Sequence, residues 1–162
     1  MFPPPFLKLA RSVLAQAREK GLRIATAESC TGGLIAALLT EIPGSSEVFD
    51  RGFVVYSNSA KSDLLDIPAD LIIRDGAVSE TIARAMAEGA VKNSKAQVAI
   101  AVTGIAGPGG GTALKPVGLV HIAAMRESQA ILHEEHRFGD IGRSEIRLQS
   151  VAAGLRLLLC LL

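Results

Sequence analysis

The chain has no tryptophan, one tyrosine and five phenylalanines in 162 residues. So few rings exclude a stacking platform for single-stranded nucleic acid, which needs successive aromatic faces. Net charge is only +1, and Lys and Arg are scattered without a polybasic run. A polyanion partner such as nucleic acid is therefore not expected. Cysteine is almost absent: Cys30 and Cys160 lie far apart, too few for a disulfide framework or a Cys metal site. A reducing, cytoplasmic compartment is the expectation. Histidine is also scarce. His133 and His136 fall in one expected strand, where odd and even positions face opposite sides. His133-Glu134-Glu135-His136 is not His-Glu-x-x-His, and His121 stands alone in another expected strand. No metal site and no cofactor are expected. A membrane span needs about 20 apolar residues. The longest candidate, Val151 to Leu162, is shorter and contains Arg156, so no membrane partner is expected. The opening Met1-Phe2-Pro3-Pro4-Pro5 lacks a basic region and a long apolar run, so it does not read as a signal peptide.

What the chain does have is aliphatic content. Apolar residues make up 49% and mean hydropathy is +0.35, as expected of a sheet covered on both faces. The length suits one domain, residues 1–162. Leu7, Ala10, Val13, Leu14 and Ala17 recur at helical spacing, and Gly21 ends that helix. A strand is expected over Leu22 to Ala27, a helix from Thr31 to Thr40, a short strand over Phe53 to Tyr56 and a helix from Ser59 to Leu65, closed by Pro68. Ser79 reads as the cap of a helix over Glu80 to Asn93. Val98 to Val102 is an uninterrupted apolar strand. Val117 to Ala124 and Ala130 to Arg137 read as antiparallel neighbours. A last helix, from Arg143 to the end, is apolar enough to be buried and to meet a second subunit, so a homo-oligomer is expected. The pattern predicts a three-layer α/β/α sandwich with a mixed, mostly parallel sheet of about five strands.

Three polar constellations fall at expected strand ends, where open α/β sheets bind ligands. The first is Ala27-Glu28-Ser29-Cys30-Thr31-Gly32-Gly33. A serine at a strand-to-helix turn sits beside unpaired N–H groups, a place suited to a nucleophile whose attack creates an oxyanion. Equally, Ser29 or Thr31 could simply cap the helix. Glu28 could orient a lysine or a substrate amide, or be a charge near the helix start. The second is Tyr56-Ser57-Asn58-Ser59-Ala60-Lys61. Burial could lower the pKa of Lys61 enough to make it a general base, and Tyr56 could relay a proton or bind substrate. Ser57, one helical turn before Lys61, is the rival nucleophile. The run is not the Ser-x-x-Lys of penicillin-binding enzymes, since position 58 is Asn. The third is Thr103 to Gly111, with five glycines in nine residues. Its backbone could approach an anion, but it matches neither Walker A nor the dinucleotide fingerprint. Arg143, after Gly139-Asp140-Ile141-Gly142, could bind phosphate or carboxylate, or sit at the surface.

These segments, with Gly76-Ala77-Val78-Ser79 and Lys115-Pro116-Val117-Gly118, closely resemble the CinA C-terminal domain family from about Leu7 to Leu162. The N-terminal molybdopterin-binding-like domain of longer relatives is not in this sequence, which looks like the stand-alone form. The resemblance implies a metal-independent amidase. It would hydrolyse nicotinamide mononucleotide to nicotinate mononucleotide and ammonia, in pyridine-nucleotide salvage. It implies Ser29 and Lys61 as a catalytic pair, with Tyr56 and Thr103 nearby. Cys30 and Thr31 N–H groups would hold the oxyanion. Glu28, Cys30, Thr31, Gly32, Ser57, Asn58, Thr103, Gly104, Gly107 and Arg143 are the expected substrate contacts. The family's Gly-Asp-Arg maps onto Gly139, Asp140 and Arg143, although Ile141 and Gly142 intervene here. The alternative is a catalytically silent nucleotide-sensing or partner-binding module of the same fold. The family's association with competence also suggests nucleic-acid binding, which the near-zero charge and scarce aromatics disfavour.

Overall fold

The computed structural model describes residues 2–162; Met1, part of the N-terminal segment read above, lies outside the described residues. Helix α1 (Pro4–Glu19) begins inside the proline run. Proline suits a first helical turn because its φ is already helical and its missing N–H would have been unpaired there. Then come β1 (Ile24–Glu28), α2 (Leu34–Thr40), β2 (Phe49–Val54), α3 (Asn58–Leu65), α4 (Ala69–Asp75), α5 (Glu80–Lys92), β3 (Val98–Gly104), β4 (Leu119–Arg126), β5 (Leu132–Arg137) and α6 (Arg143–Leu159).

The strands form one sheet in the order β2-β1-β3-β4-β5. β1 pairs in parallel with β2 and β3, and β4 runs antiparallel to β3 and β5. Four strands thus share a direction and only β4 opposes them, as expected of a mixed, mostly parallel sheet. Alternation sorts the side chains by size. Ile24, Val98, Ile100, Val102, Val120 and Ile122 pack under α1, α2 and α6. Ala25, Ala27, Ala99, Ala101 and Ala123 pack under α5, against Ile82 and Met86. The alanine face lets α5 lie close to the sheet. The three-layer sandwich is therefore present, with α3, α4 and α5 on one face and α1, α2 and α6 on the other.

Strand β2 and helix α4 differ most from expectation. β2 lies at Phe49–Val54 rather than Phe53–Tyr56. It is an edge strand carrying Asp50, Arg51 and Gly52, so its polar half does not read as buried strand. Tyr56 falls in the following loop. Helix α4 was not expected, because Pro68 reads as a stop; here it stands at the N-terminus of that short helix.

Order and direction create one crevice. β1 and β3 are adjacent and parallel, yet the chain leaves β1 for α2 on one face and reaches β3 from α5 on the other. Such a switch point, at the carboxyl ends of the strands, is where sheets of this type bind ligands.

Candidate active site

Ser29 is the first residue past β1. Its N–H donates to the Val102 carbonyl of β3 at 2.9 Å, which fixes it at the crevice. The chain then turns through Gly32 and Gly33, both at positive φ, a conformation glycine adopts without steric cost. Helix α2 begins at Leu34, not Thr31, and neither Ser29 nor Thr31 caps it. Glu28 does this instead. Its buried carboxylate accepts the N–H groups of Gly33 (3.1 Å), Ile35 (3.0 Å) and Ala36 (2.9 Å). A negative group satisfying three otherwise orphaned donors suits a helix N-terminus. Glu28 therefore spends its oxygens on α2, and neither of its expected partners, Lys61 or a substrate amide, is needed to explain its burial.

With capping done by Glu28, the Ser29 hydroxyl is free for another partner. Lys61 Nζ lies 3.2 Å from Ser29 Oγ, 2.9 Å from the Val55 carbonyl and 3.4 Å from the Tyr56 carbonyl. Lys61 is only 1% exposed, and its burial pushes its pKa below the ordinary 10.5. A neutral amine has two N–H donors and one lone pair. The amine is within donor reach of all three oxygens; when it is uncharged the two carbonyls, which can only accept, take its two donors and the lone pair is left for the Ser29 O–H. No carboxylate pairs with the amine, and the neighbouring Cys30 opposes the lowering less strongly than burial drives it. Ser57, the rival, is exposed and its hydroxyl caps α3 by accepting the Ala60 N–H at 3.0 Å. Lysine thus meets Ser29 and not Ser57. Asn58 is exposed on the first turn of α3.

The turn also leaves donors free. Gly32 N–H closes onto the Ser29 carbonyl at 3.0 Å, while the N–H groups of Cys30 and Thr31 reach no backbone acceptor among the described residues. The Cys30 thiol is pushed up to about 12, chiefly by burial, so it stays protonated and unreactive at neutral pH. The Thr31 hydroxyl is buried without a partner among the described residues.

Arg143, at the start of α6, joins the other constellations. Its guanidinium donates to the Gly107 carbonyl at 2.8 Å and to the Tyr56 hydroxyl at 3.2 Å. Tyr56 is 62% exposed, and its phenol meets Arg143, whereas only its carbonyl meets Lys61. A proton relay through the phenol has no hydrogen bond behind it. Thr103 is buried and donates to the Ala77 carbonyl at 2.8 Å, tying the Gly76–Ser79 segment over the end of β3. The room beside Gly104 is taken by Val120 of β4, and that beside Gly107 by Val117. These two glycines serve close chain approach rather than an open cradle.

Sequence reasoning missed Arg147. It donates to the Cys30 carbonyl at 3.1 Å and to the Thr31 carbonyl at 3.0 Å. The available signal was its spacing, four residues after Arg143 and so on the same helix face. The histidines fall as expected in part. His136 meets Glu134 on one side of β5. His133, however, reaches across to His121, ring nitrogens 3.0 Å apart, a contact that cross-strand pairing of Ala123 with His133 could have suggested. Among the described residues, no three His, Cys, Asp or Glu side chains gather as a metal site, and no helix is long and apolar enough to cross a membrane. A groove of about 740 Å³ lies elsewhere, between Leu65, Pro68, Leu71, Val91 and Met125. Its polar lining, Asp66, Glu88, Lys92, Glu127 and Ser128, is exposed, whereas the Ser29 crevice holds a buried serine beside a buried amine, so the chemistry points there instead.

Comparison with known proteins shows the family and the fold. Residues 7–162 match the family described as CinA C-terminal domain. A CinA-like protein of Syntrophobacter fumaroxidans is 49% identical over 150 residues, 93% of this chain but 35% of that protein. The chain thus spans about a third of the length of the curated relatives it matches. The crystal structure of the competence/damage inducible protein CihA from Agrobacterium tumefaciens superposes with a TM-score of 0.97 at 53% identity, covering 99% of this chain and 98% of that one. A CinA superfamily protein from Escherichia coli superposes with a TM-score of 0.92 at 31% identity, covering 100% and 94%.

Proposed function

The chain belongs to the CinA C-terminal domain family, and from that premise we propose that it is an amidohydrolase converting nicotinamide mononucleotide to nicotinate mononucleotide and ammonia. The observation that carries the reading is the buried Lys61 amine held 3.2 Å from Ser29 Oγ by two carbonyls. An amine so placed is a general base whose lone pair has one partner, the serine proton.

In the proposed reaction Lys61 takes the Ser29 proton as Oγ attacks the carboxamide carbon. The oxyanion is received by the free N–H groups of Cys30 and Thr31. The carbon–nitrogen bond then breaks, and the Lys61 ammonium returns the proton to the departing ammonia. Water, deprotonated by Lys61, attacks the resulting ester. Nicotinate mononucleotide leaves, and Ser29 regains its proton. Arg143, held between Gly107 and Tyr56, is the proposed contact for the phosphate of the nucleotide. Tyr56 serves as its wall rather than as a relay.

The test is ammonia release from nicotinamide mononucleotide by the purified protein, with nicotinate mononucleotide identified as the second product. Lys61→Met should lose the activity and Ser57→Ala should keep most of it. Tight nucleotide binding without ammonia release would favour the silent sensing module instead.

A further inference from the structure

We propose that Arg147 is a positioning residue for acyl transfer, holding the Cys30–Thr31 turn so that its free N–H groups face the reacting carbonyl. The inference rests on the serine–lysine reading above and adds a residue to it. In a trans peptide the C=O and N–H of one plane point to opposite sides. Arg147 Nε draws the Cys30 carbonyl towards α6 at 3.1 Å, so the Thr31 N–H of the same plane points away from the guanidinium. Arg147 Nη2 draws the Thr31 carbonyl in the same direction at 3.0 Å, and the Gly32 N–H of that plane accordingly turns back onto the Ser29 carbonyl. That last bond in turn fixes the plane carrying the Cys30 N–H. Each free donor therefore has its own carbonyl pinned, one by Arg147 and one by Gly32.

The fork is specific to arginine. Two consecutive carbonyls accept from two nitrogens of one planar group, which a lysine ammonium cannot span in the same way. The cation also lies near the site of developing negative charge, where fixed positive potential favours the transition state over the neutral substrate. An added Cβ at Gly32 would sit 3.2 Å from Arg147 Nη2, so the bare glycine leaves room for the fork. Arg147 makes no hydrogen bond to Ser29 or Lys61; its hydrogen bonds go to the turn.

The experiment compares wild type, Arg147→Ala and Arg147→Lys in two reactions that both build negative oxygen at this turn. One is turnover of nicotinamide mononucleotide; the other is covalent labelling of Ser29 by a fluorophosphonate. Expected are a roughly 100- to 1000-fold fall in kcat for Arg147→Ala with KM within a few-fold, and a parallel fall in the labelling rate. Arg147→Lys should lie in between, and millimolar guanidinium should restore part of the Arg147→Ala rate while doing nothing for Ser29→Ala. Should Arg147→Ala fail to fold, Arg147→Lys and its kcat-against-KM split decide alone. Wild-type kcat and labelling in a folded variant would overturn the proposal and leave the amidase reading standing. If wild type labels but does not deamidate, the substrate reading falls and labelling still judges Arg147. If wild type neither labels nor deamidates, both fall together.

Discussion

Lys61 unites two demands that ordinarily conflict. A lysine is stable when charged and solvated, yet a base at neutral pH must be uncharged. Burial of this α3 side chain moves its pKa downward, the direction a base requires, with a consequence for stability. The folded state binds the Lys61 proton less readily than the unfolded chain does. Stability is therefore lost as pH falls from about 10.5 through the lowered folded value. Lys61→Met, which carries no titrating group, should gain on wild type in melting temperature as pH is lowered across that window. The gap should stop widening below the folded value. The same titration sets activity: kcat/KM should rise with pH along a limb lying below 10.5, measured with nicotinamide mononucleotide in the wild type. A limb at the ordinary lysine value, or no difference in the pH dependence of melting, would remove the neutral base.

At the scale of elements, α2 and α3 bring the pair together, and each rests on a single device. α2 starts on the Glu28 carboxylate. Glu28→Gln keeps the shape but replaces one acceptor oxygen by a donor, leaving at least one buried N–H unpaired. Denaturant unfolding should show a loss of about 2 kcal/mol, and melting a fall of roughly 4 to 8 °C. α3 rests on α5 through Gly89, where an added Cβ would collide with the Leu65 carbonyl. Gly89→Ala should therefore push α3 away and withdraw Lys61 from Ser29, lowering kcat more than KM in steady-state assays. Periodicity revealed α1 and α5 because their apolar stripes recur at 3.6 residues, α6 was legible from its apolar run, and Ser79 is the cap of α5 that its type suggested. The same reasoning placed β2 four residues too late, since an edge strand shows no buried pattern. It also read Ser29 as a rival cap, because no local rule reveals that a carboxylate from the preceding strand will do that work. The Arg147 fork and the His121–His133 contact depend on segments remote in sequence, and patterns within a segment do not carry that information.

Across the whole molecule, the sheet sets a second titration far from the crevice. His121 and His133 touch each other between α5, β4 and β5. Burial lowers both pKa values, and for His121 the proximity of His133 adds to this. Glu80 and Glu135 pull the other way, while Lys115 beside His121 and Arg84 beside His133 reinforce the lowering. The unfolded chain thus takes up protons first. Stability is full above about 6.5 and is lost as pH falls from there through the lowered folded values. Thermal melts between pH 7 and 5 should show a falling midpoint, and His133→Gln should flatten that fall. An unchanged slope in the variant would assign the acid sensitivity to other groups.

Ser29, set at the carboxyl end of β1 and facing a buried amine, is the centre on which the other assignments depend. The most direct measurement is the rate of ammonia release from nicotinamide mononucleotide by wild type and by a Ser29→Ala variant shown to be folded by its melting curve. The predicted result is turnover in wild type and a fall of roughly ten-thousand-fold or more in the variant. Equal rates in the two proteins would contradict a Ser29 nucleophile.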